Sequence, residues 1–182
     1  MYRLTIKDIL EATGGVLLCG DENTEIKDVC INSKEIKPGD LFVPIIGERV
    51  DAHRFIESAL HTGAATLTSQ HTDIVVSEKP FVYVSDTEKA LQDIGAYIRR
   101  KFKKPVIGVT GSVGKTTTRQ MIATVLSGCL NVYQTEGNLN SQIGVPLTLF
   151  RLEKGQELAV VEMGISEFGE MENLVRFAEP DV

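Results

Sequence analysis

The chain has 182 residues, of which 42% are hydrophobic and 24% charged, and it carries a formal net charge of -6. That length can bury a real core and suits one large domain or two small ones, while the acidic balance argues against a nucleic-acid partner without excluding phosphate at a locally positive loop. No apolar run approaches the roughly 20 residues of a membrane span, and the opening Met1–Asp8 is too polar for a signal peptide, so a cytoplasmic protein is expected.

In chain order, Thr5–Ala12 pairs a capping threonine with Asp8, sets Ile6, Ile9 and Leu10 at helical spacing and stops at Gly14–Gly15, which predicts a short capped helix. The apolar runs Val16–Cys19, Ile26–Ile31 and Leu41–Ile45 are separated by turn-forming clusters at Gly20–Asn23 and Lys37–Asp40, and each reads as a strand. His53–His61 carries Phe55, Ile56, Ala59 and Leu60 at helical spacing and ends at Gly63. Within it, His53 reads as a surface or capping histidine. Short strands are then expected at Ala65–Leu67, Ile74–Val76 and Phe81–Val84, completing a small α/β domain over residues 1–84. Cys19, Cys30 and Cys129 have no metal-ligand spacing and read as reduced, buried thiols.

Asp86–Glu88 opens a longer helix with Ala90, Leu91, Ile94, Tyr97, Ile98 and Phe102 along one side, ended by Pro105. The five cations of Arg99–Lys104 read as solvated charge favoured by the helix dipole rather than as a nucleic-acid patch. Strands at Val106–Val109, Asn131–Thr135 and Leu158–Val161 alternate with helices, the first of which starts its apolar stripe with Met121, Ile122 and Val125. Such alternation implies a parallel sheet, whose ligands collect beyond the carboxyl ends of the strands. Thr110, the Thr135–Asn138 segment and Glu162 all fall at that edge.

Between the strand Val106–Val109 and the helix after it stands Thr110-Gly111-Ser112-Val113-Gly114-Lys115-Thr116-Thr117. Glycine-loop amides at a helix N-terminus converge on a polyphosphate, Lys115 reaches the outer phosphates, and the Thr116 hydroxyl is placed for a magnesium ion. The strict phosphate-loop spacing is not met, because Val109 stands six residues before Lys115 and the glycine, Gly108, one earlier. The plain alternative is a glycine turn capping a core helix.

Gly108–Thr118 closely resembles the phosphate loop of the Mur ligases, the ATP-dependent amide-bond-forming enzymes of peptidoglycan assembly. Thr135–Leu149 and Val161–Glu170 are similar to the branch that adds D-alanyl-D-alanine, and Asn32–Glu48 with Asp51–Ile56 resembles the family's UDP-binding domain. Two positions depart from the family pattern: Asn32-Ser33-Lys34 stands for Asp-Ser-Arg, and Asp51-Ala52-His53 for Asp-Gly-His. Lysine is a point charge and not a bidentate fork, so Ser33 is the firmer carry-over of the first pair.

The resemblance implies an α/β fold in two parts. A small UDP-muramoyl-peptide-binding domain spans residues 1–84, and the start of a P-loop-type, parallel-sheet ATP-binding domain spans 85–182, in a fragment inactive alone. It also implies a monomer that uses ATP and Mg2+ and acts on UDP-N-acetylmuramoyl-tripeptide and D-alanyl-D-alanine through an acyl phosphate. Thr110, Gly111, Ser112, Val113, Gly114, Lys115, Thr116 and Thr117 would bind ATP, with Lys115 and Glu162 catalytic and Thr116 and Glu162 on the metal. Ser33, Lys34, Asn138 and Asn140 would bind the substrate. Glu162 as a solvated loop carboxylate and the asparagines as turn formers are the plainer readings. Three other functions stay open: a non-catalytic nucleotide or UDP-sugar module, a different Mur-type ligase, and a small P-loop kinase, this last disfavoured by the lack of a lid or second substrate site after Glu162.

Overall fold

The computed structural model describes residues 2–70 and 77–182, so the strand expected at Ile74–Val76 lies outside the described residues. Packing divides the chain into two compact units, Arg3–Asp93 and Ile94–Val182, with Tyr2 belonging to the second.

The first unit begins with β1 (Leu4–Thr5) and α1 (Ile6–Thr13), where Thr5 and Asp8 make the expected reciprocal cap: Asp8 Oδ2 accepts from the Thr5 N–H at 2.8 Å. Its main sheet contains β2 (Val16–Cys19), β4 (Asp28–Cys30), β5 (Asp40–Phe42), β6 (Ala65–Thr68) and β7 (Phe81–Tyr83) in the order β2-β7-β6-β5-β4. Strands β4 to β7 run parallel, and β2 lies antiparallel on β7. The run expected as one strand over Ile26–Ile31 is two. Ile26 closes β3 (Glu25–Ile26), which pairs with β1, and after Lys27 the chain changes sheets to form β4. Likewise β5 stops at Phe42, two residues short of Pro44, which has no N–H to give a ladder.

A 3-10 turn (Ala52–Phe55) leads into α2 (Ile56–Thr62), which packs Ile56 and Ala59 on Phe42 and Phe81. His53 is not at the surface: it is 4% exposed, its Nδ1 lies 2.7 Å from Asp51 Oδ1, and its Nε2 accepts from the Ser69 N–H at 3.0 Å. The backbone N–H of His53, above all, and its ring together with Gln70 hold the Asp51 carboxyl below the ordinary range. The stability from that contact is therefore full above the ordinary carboxylate pKa and is lost as pH falls through the lowered one.

The expected step between residues 84 and 85 lies just ahead of α3 (Thr87–Lys101), whereas the contacts divide the chain inside that helix, at Asp93/Ile94. The first turn of α3 belongs with the first unit because Thr87 Oγ1 donates to the Pro44 carbonyl at 2.6 Å.

The second unit is built on β8 (Val106–Val109), β9 (Val132–Gln134) and β10 (Leu158–Glu162), all parallel, in the order β8-β10-β9. All five residues of β10 are buried, as the apolar run of a central parallel strand requires. Helix α4 (Lys115–Leu126) covers one face, setting Ala123 with Ile122 and Leu126 against Val109, Leu158 and Val160. Its inner stripe is therefore Arg119, Ile122, Ala123 and Leu126, at spacings of three and four. Met121 and Val125, expected on that stripe, are 63% and 75% exposed because the helix phase is fixed by its start at Lys115.

Helices α5 (Gly144–Phe150) and α6 (Glu170–Ala178) complete the unit. All seven residues of α5 are buried, and Pro146 falls in its first turn, where a missing N–H costs nothing. Of the three cysteines, all free, Cys19 and Cys30 are half-buried, and Cys129, expected inside, is exposed. Among the described residues no helix is long and apolar enough to cross a membrane.

Arg99 departs from the expected solvated cluster. It is 8% exposed, and its guanidinium donates to the carbonyls of Ala178 at 3.0 Å, Phe102 at 2.8 Å and Glu179 at 2.8 Å and pairs with Asp181 at 2.8 Å. One fork thus satisfies the carbonyl ends of both α3 and α6. Arg99→Met should lower the unfolding free energy by about 3 kcal/mol, since it orphans several buried acceptors at once. Urea denaturation followed by circular dichroism checks this, and a loss under about 0.5 kcal/mol would contradict it.

Candidate active site

The phosphate-loop segment leaves β8 at Val109 and turns through Thr110–Gly114 into α4. Gly114 is the N-cap at φ 77°, a left-handed conformation that residues with a side chain resist, and no side chain caps the helix. The first amides of α4 are thus left for an outside acceptor, the arrangement that receives anions. Lys115 folds back over this loop, its Nζ donating to the Gly111 carbonyl at 2.8 Å. Thr110, Ser112, Val113 and Thr117 are all exposed around it.

Behind the loop sits Glu162, the last residue of β10 and 1% exposed, which removes the reading of a solvated loop carboxylate. Thr116 Oγ1 donates to Glu162 Oε1 at 3.2 Å and Asn140 Nδ2 donates to the same oxygen at 2.8 Å. The Glu162 N–H is held by Thr135 Oγ1 at 2.9 Å. Sequence order explains this meeting: residues 110 and 135 directly follow β8 and β9, and Glu162 ends β10, so all three stand at the carboxyl edge of neighbouring parallel strands.

The turn after β9 is fixed from two sides. Gly164 N–H donates to the Asn140 carbonyl at 2.7 Å, and Asn140 N–H to the Asn138 carbonyl at 2.8 Å. Asn140 therefore reaches the carboxylate, while Asn138 is exposed and contributes its backbone to the turn. Ser33 and Lys34 belong to the other unit, in the turn after β4, where Ser33 is half-buried and Lys34 exposed.

Sequence reasoning missed Arg119. It is 7% exposed, its Nη1 donates to the Thr135 carbonyl and to that of Gly137 at 3.4 Å, and it lies 3.6 Å from Glu162 Oε2. Its spacing was the available signal: three residues after Thr116 and four after Lys115, it shares their helix face.

A glycine-loop α/β unit with a buried carboxylate behind the loop defines a nucleotide-dependent class, and comparison with known proteins agrees. Residues 109–182 match the Mur ligase middle domain and residues 25–100 the Mur ligase family catalytic domain. Together these take in most of the chain, which belongs to the Mur ligase family. The UDP-N-acetylmuramoyl-tripeptide–D-alanyl-D-alanine ligase of Bacillus subtilis is 39% identical over 183 residues, a match covering 100% of this chain and 40% of that enzyme.

A crystal structure of MurF from Acinetobacter baumannii superposes with a TM-score of 0.91 at 33% identity, covering 99% of this chain and 40% of that one. The MurF ligase of Thermotoga maritima in complex with ADP gives a TM-score of 0.76 at 36% identity over 85% of this chain and 36% of that one. The chain thus spans about 40% of the length of the curated relatives it matches.

One close approach supports the Asn138–Asn140 turn: a Cβ on Gly144 would sit 2.5 Å from the Leu139 carbonyl carbon and 2.6 Å from its Cα. Gly144→Ala should therefore cost about 1 to 3 kcal/mol, as overpacking against backbone does. Denaturant titration tests this, and an unchanged midpoint would mean that the turn yields freely.

Proposed function

We infer that this chain carries the UDP-substrate and phosphate-binding parts of a ligase that joins D-alanyl-D-alanine to UDP-N-acetylmuramoyl-tripeptide at the expense of ATP. The observation that carries the reading is the buried Glu162 carboxylate facing the Thr116 hydroxyl at 3.2 Å, at the foot of an uncapped glycine loop. In this reading Arg3–Asp93 holds the UDP end of the substrate, with Ser33 and Lys34 at the carboxyl end of β4, and Ile94–Val182 holds the nucleotide phosphates.

The residues fit a magnesium ion. Glu162 Oε2 is buried and accepts no hydrogen bond, and a hard cation is satisfied by one or two protein oxygens plus phosphate. Thr116 and Glu162 would hold it, and when bound it supplies charge neutralisation for the transferring phosphoryl group. The chain's own residues do the rest. The α4 amides and Lys115 bind and orient the phosphates, while Asn140 fixes the rotamer of Glu162 through its 2.8 Å hydrogen bond. The Asn138–Asn140 turn lies beside that carboxylate and is the part of this unit that would orient the substrate carboxyl group.

The alternative of a binding module without chemistry differs in one respect only, since it needs no cation at Glu162. Calorimetry of the chain with ATP in the presence and absence of magnesium should give Mg-dependent binding. Lys115→Ala should weaken it by on the order of 1.5 to 3 kcal/mol, the worth of a charge-assisted contact to phosphate. Equal affinity in wild type and variant would sink the phosphate-loop reading. Phosphate release by the complete protein should require both UDP-N-acetylmuramoyl-tripeptide and D-alanyl-D-alanine and should be abolished by Glu162→Gln. Release that ignores either substrate would assign a different reaction.

A further inference from the structure

We propose that Arg119 is the resident counter-ion of Glu162: it holds the carboxylate in place while no divalent cation occupies the Thr116–Glu162 pair, and it weakens the grip on that cation when one arrives. The proposal rests on the reading of Glu162 as a cation ligand and adds the residue that sets how tightly it binds.

The two side chains are 9% and 2% exposed, and Arg119 Nη1 stands 3.6 Å from Glu162 Oε2. That separation is an ion pair and too long for a hydrogen bond. The carboxylate is used unevenly. Thr116 and Asn140 both donate to Oε1, while Oε2 has no hydrogen-bond donor among the described residues, and neither does Arg119 Nε have an acceptor. A buried carboxylate oxygen with a charge near it and no hydrogen bond is electrostatically compensated and chemically open, the state in which a cation can be accepted.

The guanidinium, moreover, is anchored without Glu162. Its Nη1 is held by the carbonyls of Thr135 and Gly137, so its positive charge stays in place whatever binds the carboxylate. A cation arriving at Glu162 then meets a fixed like charge within a few ångströms, in a site with little water to screen it. Removing that charge leaves Glu162 uncompensated in the apo protein and gives the cation sole claim on it.

A purely structural arginine, serving only the β9 exit carbonyls, would be indifferent to the carboxylate and to magnesium. Thermal unfolding of the 182-residue chain without nucleotide, in magnesium chloride titrated against potassium chloride at constant ionic strength, separates the two. Arg119→Met should lower the melting temperature by about 5 to 15 °C. About 10 mM magnesium should restore at least half of that loss while moving the wild type by only about 1 to 2 °C. Arg119→Lys, which keeps the charge, should respond as the wild type does. In a Glu162→Gln background Arg119→Met should cost much less and show no magnesium response.

A magnesium response in Arg119→Met no larger than the wild type's, or an equal cost in the Glu162→Gln background, would overturn the proposal. Should the methionine variant not fold, Arg119→Gln removes the charge, keeps a donor for the Thr135 carbonyl and carries the same comparison. If Glu162→Gln leaves the magnesium dependence of ATP binding intact, the cation-ligand reading itself has failed. If only the arginine variants behave as the wild type does, that reading stands and the counter-ion role falls.

Discussion

A carboxylate cannot be taken out of water without partners, and the second unit is arranged around that constraint. Glu162 is 1% exposed at the end of a fully buried central strand. Its partners come from two other segments: Thr116 and Arg119 from successive turns of α4, and Thr135 and Asn140 from the stretch after β9. Burying an ionised carboxylate alone would cost several kcal/mol, so the fold must bring all of these segments to one place. The same meeting point lies under the phosphate loop, which is how a packing requirement becomes a site.

The loop has complementary features. It begins where β8 ends, passes through Gly114 at positive φ and enters α4 with its amides uncapped. Positive dipole and free donors are presented on the outside, and the carboxylate lies behind. The Thr116 hydroxyl, in the first turn of α4, donates to Glu162 Oε1 at 3.2 Å and so joins the loop end of the helix to the carboxylate. The acidic net charge of the chain does not bear on this, because the local donors fix the field that a phosphate meets.

The two units solve their helix and strand ends differently. In the second, the Arg99 guanidinium gathers carbonyls from the ends of α3 and α6, and residues 181 and 182 run along β8, with Asp181 N–H donating to the Val106 carbonyl at 2.8 Å. In the first, Asp51 and His53 lock the 3-10 turn to the carboxyl end of β6 through Ser69. A histidine whose Nε2 accepts a backbone N–H has its Nδ1 proton directed at Asp51, so both ring nitrogens are satisfied where it is buried.

Local chemistry by itself determined much of this protein. The capping box at Thr5 and Asp8, the strand–loop–helix order around Gly111–Lys115, the alternation that makes a parallel sheet and the placing of Glu162 at its ligand edge all follow from residue type and short spacing. Those features depend on neighbours within a few residues or on a periodicity, and both are written along the chain. Tertiary structure decided what depends on partners distant in sequence. Lys27 marks a change of sheet that no local signal announces, and α4 turns Met121 and Val125 outward because its start fixes its phase. Arg99, a solvated cation by local context, and Arg119 are buried because carbonyls from residues 178–179 and 135–137 come to meet them. A charge is buried only where the fold delivers its acceptors, and that delivery is set by packing between segments rather than by the order of residues within one.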